Sequence, residues 1–160
     1  MWNRIAALAM ACGAGLLIAG CQPGREALRD CSIVRRHGPI TVGLKLPRHE
    51  FRRGDEFTVK VVTVNTSDEA LTLRRYGEPK YFIQIARNEG LGWETVKTYP
   101  TGAADLLREW SIPAGHADVY QTTLIVEPDW PTGETLRISA EMNRHPEVRV
   151  ADFIRVEREP

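Results

Sequence analysis

From Ile40 onward apolar residues return at every second position, the pattern of strands with one face in a core. Ile40, Val42, Leu44 and Leu46 alternate along ITVGLKL. Phe57, Val59 and Val61 continue the pattern, and Val62 with Val64 makes the opposite face apolar too, which predicts a central strand. Further runs centre on Leu71 and Leu73, on Tyr81, Ile83 and Ile85, and, less regularly, on Trp93, Val96 and Tyr99. Tyr120, Thr122, Leu124 and Val126 form another, followed by Leu136, Ile138, Ala140 and Met142. The last run holds Val148, Val150, Phe153, Ile154 and Val156, with a phase shift near Asp152 that predicts a bulge. Turn-forming clusters separate the runs, among them Asn65-Thr66-Ser67-Asp68, Asn88-Glu89-Gly90, Asp129-Trp130-Pro131-Thr132-Gly133 and Asn143-Arg144-His145-Pro146. Only Ala103 to Trp110 has helical composition, enough for a single turn within a loop. Seven or eight short strands joined by such turns predict an all-β fold, a two-sheet β-sandwich over residues 40–160.

Ahead of Ile40 the pattern is different. Met1-Trp2-Asn3-Arg4 carries one positive charge, and Ile5 to Gly20 carries none. That order is the one of a secretory signal peptide. A membrane-spanning helix needs about 20 apolar residues; this run is shorter, contains Gly13, Gly15 and Gly20, and leads into Gln22-Pro23-Gly24. The end of the run, Leu17-Ile18-Ala19-Gly20-Cys21, resembles the lipobox of bacterial lipoproteins. The resemblance implies cleavage between Gly20 and Cys21, a diacylglycerol on the Cys21 thiol and acylation, palmitate included, of the new amino terminus. The implied partner is a membrane, held through the lipid anchor at Cys21; two or more chains anchor stably, at about 0.8 kcal/mol per buried CH₂. Gln22, where an Asp would favour the inner membrane, implies the outer membrane if the cell is Gram-negative. Residues 1–20 are thus read as a lipoprotein signal peptide and 21–39 as a lipidated tether to the sandwich. Within the tether Pro23-Gly24 argues against regular structure, whereas residues 27–36 suit either one helical turn or a short first strand.

Charge adds mostly exclusions. The chain has 21 basic and 21 acidic residues, interspersed, so nothing resembles the one-sided basic stripe of a nucleic-acid partner. With Cys12 in the leader and Cys21 acylated, Cys31 stands alone and is expected to be buried and inert. His37, His49, His116 and His145 are far apart and lack zinc-ligand spacing, so no metal is expected. Gly90-Leu91-Gly92 does not precede a helix, and no cofactor motif is present. Ser32, Ser67, Ser111 and Ser139 lack the nucleophile elbow of hydrolases, and no catalytic residue is assigned.

Phe51-x-x-Gly54-Asp55-x-Phe57-x-Val59-x-Val61, then Asn65-x-Ser67, resembles the opening of bacterial immunoglobulin-like domains. Tyr81-Phe82, Gly92-Trp93, Ile112-Pro113-Ala114-Gly115 and Trp130-Pro131-Thr132-Gly133 continue an order similar to the bacterial intracellular proteinase inhibitor family, over roughly residues 51–142. The resemblance implies an immunoglobulin-like antiparallel sandwich. Trp93, Trp110 and Trp130 fall in or beside loops, and aromatic residues of this kind anchor interfaces. One of them is expected in the core; Trp110 and Trp130, if exposed together at one end, would mark an interaction surface. The expectation is a non-catalytic, membrane-anchored envelope module that binds or scaffolds another component, in particular another envelope protein, through loops 99–116 and 127–134. The alternatives are a protease inhibitor presenting one of those loops, and a small envelope hydrolase.

Overall fold

In a computed structural model the described residues are 23–77, 79–101 and 106–158. The signal peptide, Gly20 and Cys21 lie outside them, as do Ala103 and its neighbours to Asp105. The described chain is almost entirely β. A short helix α1 (Pro23–Ala27) precedes β1 (Ile33–His37), β2 (Ile40–Lys45), β3 (Glu50–Phe51), β4 (Glu56–Asn65) and β5 (Leu71–Tyr76). There follow β6 (Tyr81–Asn88), β7 (Trp93–Tyr99), β8 (Leu107–Ile112), β9 (Ala117–Ile125), β10 (Thr135–Met142) and β11 (His145–Val156). One sheet has the order β1-β2-β4-β9, the other β3-β11-β10-β6-β7, and β5 pairs with β8 as a separate ribbon. All pairings are antiparallel except the two-residue β3–β11 contact, which is parallel.

Each of the eight alternating runs forms a strand, and their inward residues make one core. Val42, Leu44, Val59, Val61, Ile83, Ile85, Leu136, Ile138, Val150 and Ile154 are all essentially inaccessible. Asn65 and Asn143 explain how the β5–β8 ribbon is held between the sheets. Asn65, at the end of β4, donates through Nδ2 to Glu69 O and Ile112 O while its Oδ1 accepts from the Ser67 N–H and hydroxyl. Asn143, in the β10–β11 turn, donates to Tyr76 O and Pro79 O and accepts from the Tyr76 N–H. Both side chains are buried, and each satisfies main-chain groups that would otherwise be orphaned in the interior.

The structure departs from the sequence expectation in four places. Pro23-Gly24 does not exclude regular structure: proline's fixed φ suits the first turn of a helix, where its missing N–H costs nothing, and α1 begins there. The segment 23–39 is therefore not a free tether. Gly24 is buried and its N–H donates to Gly115 O, and β1 pairs along its length with β2. Residues from Leu107 form strand β8 rather than a helical turn, because pairing with β5 sets Ile112 opposite Leu71 and Trp110 opposite Leu73 and buries Ile112 and Leu73. Finally, β11 has no slip at Asp152. Val148, Val150, Asp152, Ile154 and Val156 all face inward in unbroken alternation, while Phe153 points out, 51% exposed. The register shifts lie instead at Glu141/Met142 and Ile85/Ala86.

Candidate binding groove on the five-stranded sheet

Trp110 and Trp130 do not form a common surface. Trp130 is 1% exposed and belongs to the core. Its ring meets Phe57 edge-on at 6.3 Å, and Nε1 donates to Tyr99 Oη at 3.0 Å. Tyr99 in turn donates to Glu127 Oε1 at 2.5 Å, and Lys97 bonds Glu127 and Asp129. Burial and the Glu127 carboxylate push the Tyr99 hydroxyl up to about 12, so it remains a donor at any physiological pH. The Trp130 expectation is thus corrected: a ring this large finds its lowest free energy between the sheets, with its one polar atom satisfied. Trp110 sits half-buried on β8, with Arg75 and Lys80 over its ring at 6.0 and 5.8 Å.

The fold also brings together a serine, a histidine and an aspartate that the sequence holds far apart. Ser32 Oγ donates to Asp152 Oδ2 at 2.5 Å, and His49 Nε2 donates to the same oxygen at 3.0 Å. The wiring differs from that of a nucleophilic triad, in which the histidine stands between serine and carboxylate. Here both donors end on one oxygen, so His49 takes no proton from Ser32. Burial pushes the Asp152 carboxyl up, but bonds from Ser32, His49 and the Phe153 N–H outweigh it and the net shift is downward. A carboxylate held below its ordinary range is a poor base. The cluster works as a clasp, tying the α1–β1 connection and the β2–β3 loop to the middle of β11.

Cys31 is half-buried rather than buried, and desolvation raises its thiol pKa, which leaves little thiolate. It packs over Gly43, where an added Cβ would stand 2.5 Å from Cys31 Sγ. His37 donates through Nε2 to Arg149 O, which pins the end of β1 against β11. Among the described residues no three His, Cys, Asp or Glu side chains cluster to hold a metal ion.

The most distinctive surface lies on the outer face of β10 and β11. Register places Arg137 opposite Phe153, Ser139 opposite Ala151, and Glu141 opposite Arg149. On the other side of β10, Gln84 stands opposite Ser139. The middle row is small at Ser139 and Ala151, between Gln84 on one side and the long side chains of the rows above and below, which leaves a hollow of about 390 Å³ with Ser139 and Ala151 as its floor. Arg35 and His37 of β1 flank it. This volume falls in the range of roughly 300–1,000 Å³ typical of small-ligand sites.

Three arginines and one carboxylate face this hollow, and they are not paired off. Among the described residues Arg137 and Arg149 have no ion pair, and Arg35 reaches only the carbonyl of Val34, at 3.5 Å. Arg137 Nε is buried and has no hydrogen-bond partner. Desolvation, and after it the nearby Arg149 charge, lowers the Arg137 pKa. Arg137 also lies 5.1 Å over the Trp93 ring, and Trp93 packs on Phe153 at 5.6 Å. By contrast, in the larger groove near the start of β4 the arginines are paired, Arg48 with Asp55 and Arg52 with Glu157.

Sequence reasoning missed this site. Period-two alternation alone puts Arg137, Ser139 and Glu141 on one face, and Arg149, Ala151 and Phe153 on one face of the next strand. Only the register shows that the two small residues meet.

No protein-family model and no curated protein sequence matches the chain. Among solved structures it is similar to the sporulation control protein Spo0M of Bacillus subtilis, with TM-score 0.49 and 16% identity over 78% of this chain and 51% of that one. It is also similar to a Paenibacillus cycloisomaltooligosaccharide glucanotransferase complexed with cycloisomaltoheptaose, with TM-score 0.47 and 16% identity over 72% of this chain and 14% of the enzyme. A β-glucosidase from Listeria innocua in complex with gluconolactone is a further match, with TM-score 0.47 and 15% identity over 74% and 16%. The chain spans about half the length of Spo0M and a small part of each enzyme.

Proposed function

We propose that the protein is a lipid-anchored module of the cell envelope that binds another component without chemistry of its own, using the groove across β10 and β11 as its contact face. The observation that carries the binding role is the unpaired positive charge of Arg35, Arg137 and Arg149 around a floor of small residues. Arg52 and Arg87 end on carboxylates within the fold, whereas these three converge on one hollow without such a partner among the described residues, which supports a role in binding. The anchoring role is supported by Leu17-Ile18-Ala19-Gly20-Cys21 together with the docking of Gly24 into the domain. With so short a link the domain would lie against the headgroups rather than swing on a leash. Gln22 favours the outer membrane if the cell is Gram-negative.

Metabolic labelling with palmitate, followed by membrane fractionation, tests the anchor. The wild-type chain is expected to carry label and sediment with membranes, and Cys21→Ser to lose both. An unlabelled wild-type protein in the soluble fraction would end the reading. Crosslinking in intact cells tests the contact face: a captured partner should be lost in Arg137→Gln/Arg149→Gln while anchoring persists.

A further inference from the structure

We infer that the groove on β10 and β11 is a site for an acidic saccharide, a sugar bearing a carboxylate on its ring, taken from a surrounding glycan. The inference rests on the binding-module reading above and gives that site its ligand class. Four features of the groove select this chemistry in turn.

The first is the sign and form of the charge. Guanidinium groups present planar forks that fit a carboxylate with two parallel bonds, and Arg137 and Arg149 stand on neighbouring strands at either end of the small-residue floor. Arg137 Nε, buried and unpartnered, is a donor whose desolvation an acceptor on a ligand would offset. The second feature is Glu141, opposite Arg149 in the same hollow. An ionised carboxylate only accepts hydrogen bonds, so it repels a bare multivalent anion and favours one that also carries hydroxyl groups. Phosphate fits the arginines but not this neighbour. Gln84 and Ser139, on the floor, add both donor and acceptor capacity for the same hydroxyls.

The third feature is aromatic. Phe153 is half-exposed at the groove's rim, backed by Trp93, with Arg137 over the Trp93 ring. A pyranose has an apolar C–H face, and an exposed aromatic ring supplies apolar area to cover it at little cost in side-chain entropy. Peptides and lipid headgroups do not combine a flat apolar face, several hydroxyls and a single carboxylate in so small a volume. The fourth is position. Chain anchored within a few residues of Cys21 is confined to the glycan-rich zone next to a bilayer, where even weak sites act at high local concentration.

The test uses the full acylated chain in detergent micelles, with tetragalacturonic acid as the probe, galactotetraose as the neutral counterpart and inorganic phosphate as the simple anion. Tryptophan fluorescence reports the site through Trp93, and calorimetry gives the affinity. Saturable binding of tetragalacturonate is expected, weakening with added salt as charge pairs at a surface do. Arg137→Gln and Arg149→Gln should each weaken it about tenfold or more, the scale of one lost charge-assisted bond. Phe153→Ala should weaken it as well, while Arg36→Gln, outside the groove, should not. The inference is overturned if tetragalacturonate does not bind, if galactotetraose or phosphate binds as well, or if the arginine variants fold and bind like the wild type. Its failure is distinct from failure of the module reading. Loss of uronate binding with palmitate labelling and partner capture intact removes only the ligand class. Uronate binding by a chain that carries no lipid removes only the anchor.

Discussion

Asp152 shows how one residue's role follows from the phase of its strand. It takes an inward position on β11, where an apolar side chain would ordinarily stand, and it is tolerated there because Ser32, His49 and the Phe153 N–H all donate to it. Removing one of these charge-assisted bonds leaves a partly buried group under-satisfied, at a cost of about 1–3 kcal/mol. Asp152→Asn is therefore expected to lower stability by that amount at neutral pH, measured by denaturant titration. The sign of the pH dependence follows from the downward shift. A carboxyl whose folded pKa lies below its unfolded value of about 3.9 stabilises the fold above that value, and the contribution is lost as pH falls through the folded pKa. Wild-type and Asp152→Asn stabilities should thus converge in acid. A difference that stays constant down to pH 2 would show that the carboxylate's charge is not what holds the clasp.

Among the elements, α1 and β1 changed their meaning most. Composition marked 21–39 as a tether, yet residues from Pro23 are part of the fold. The reason lies in two glycines. A Cβ on Gly24 would meet Val64 Cγ1 at 2.6 Å and Gly115 O at 2.7 Å, and one on Gly43 would meet Cys31 Sγ and Leu28 Cδ2 at 2.5 and 2.8 Å. The segment lies so close to β2, β4 and the β8–β9 turn that only bare backbone fits at those points. Gly24→Ala should consequently undock α1, costing about 1–3 kcal/mol as overpacking does, seen as a lower melting temperature and faster amide exchange around Gly115. An unchanged melting temperature and exchange pattern would mean that the segment is only loosely applied. The same logic applies to β8: its residues have no strong strand pattern of their own, and it is a strand because it pairs with β5, Asn65 holding the end of β8 at Ile112 O and Asn143 the end of β5 at Tyr76 O.

At the scale of the whole molecule, two sheets and a ribbon close over one core, with Trp130 filling the end where Phe51, Phe57 and Tyr99 meet. Truncating a buried aromatic of this size costs about 3–5 kcal/mol, a large part of the roughly 5–15 kcal/mol that holds a domain together. Trp130→Ala is expected to melt far below the wild type, whereas Trp110→Ala, on the half-buried ribbon, should be milder; equal melting temperatures would contradict this placement. The alternation of Ile40 to Val156 was enough to read an all-β sandwich and eight of its strands, because a strand's period is a local property written in consecutive residues. Asn65 and Ser67 were equally readable as a turn, since an Asx bond spans only two residues. The groove was not readable. Arg137, Ser139 and Glu141 are separated from Arg149, Ala151 and Phe153 by a hairpin whose register shifts at Glu141/Met142, and a one-residue slip would have sent one set to the opposite face. Nor was the clasp, whose three members are spread from residue 32 to 152. Local period chose the strands; pairing register and close backbone approach, which depend on contacts distant in the chain, decided which side chains meet.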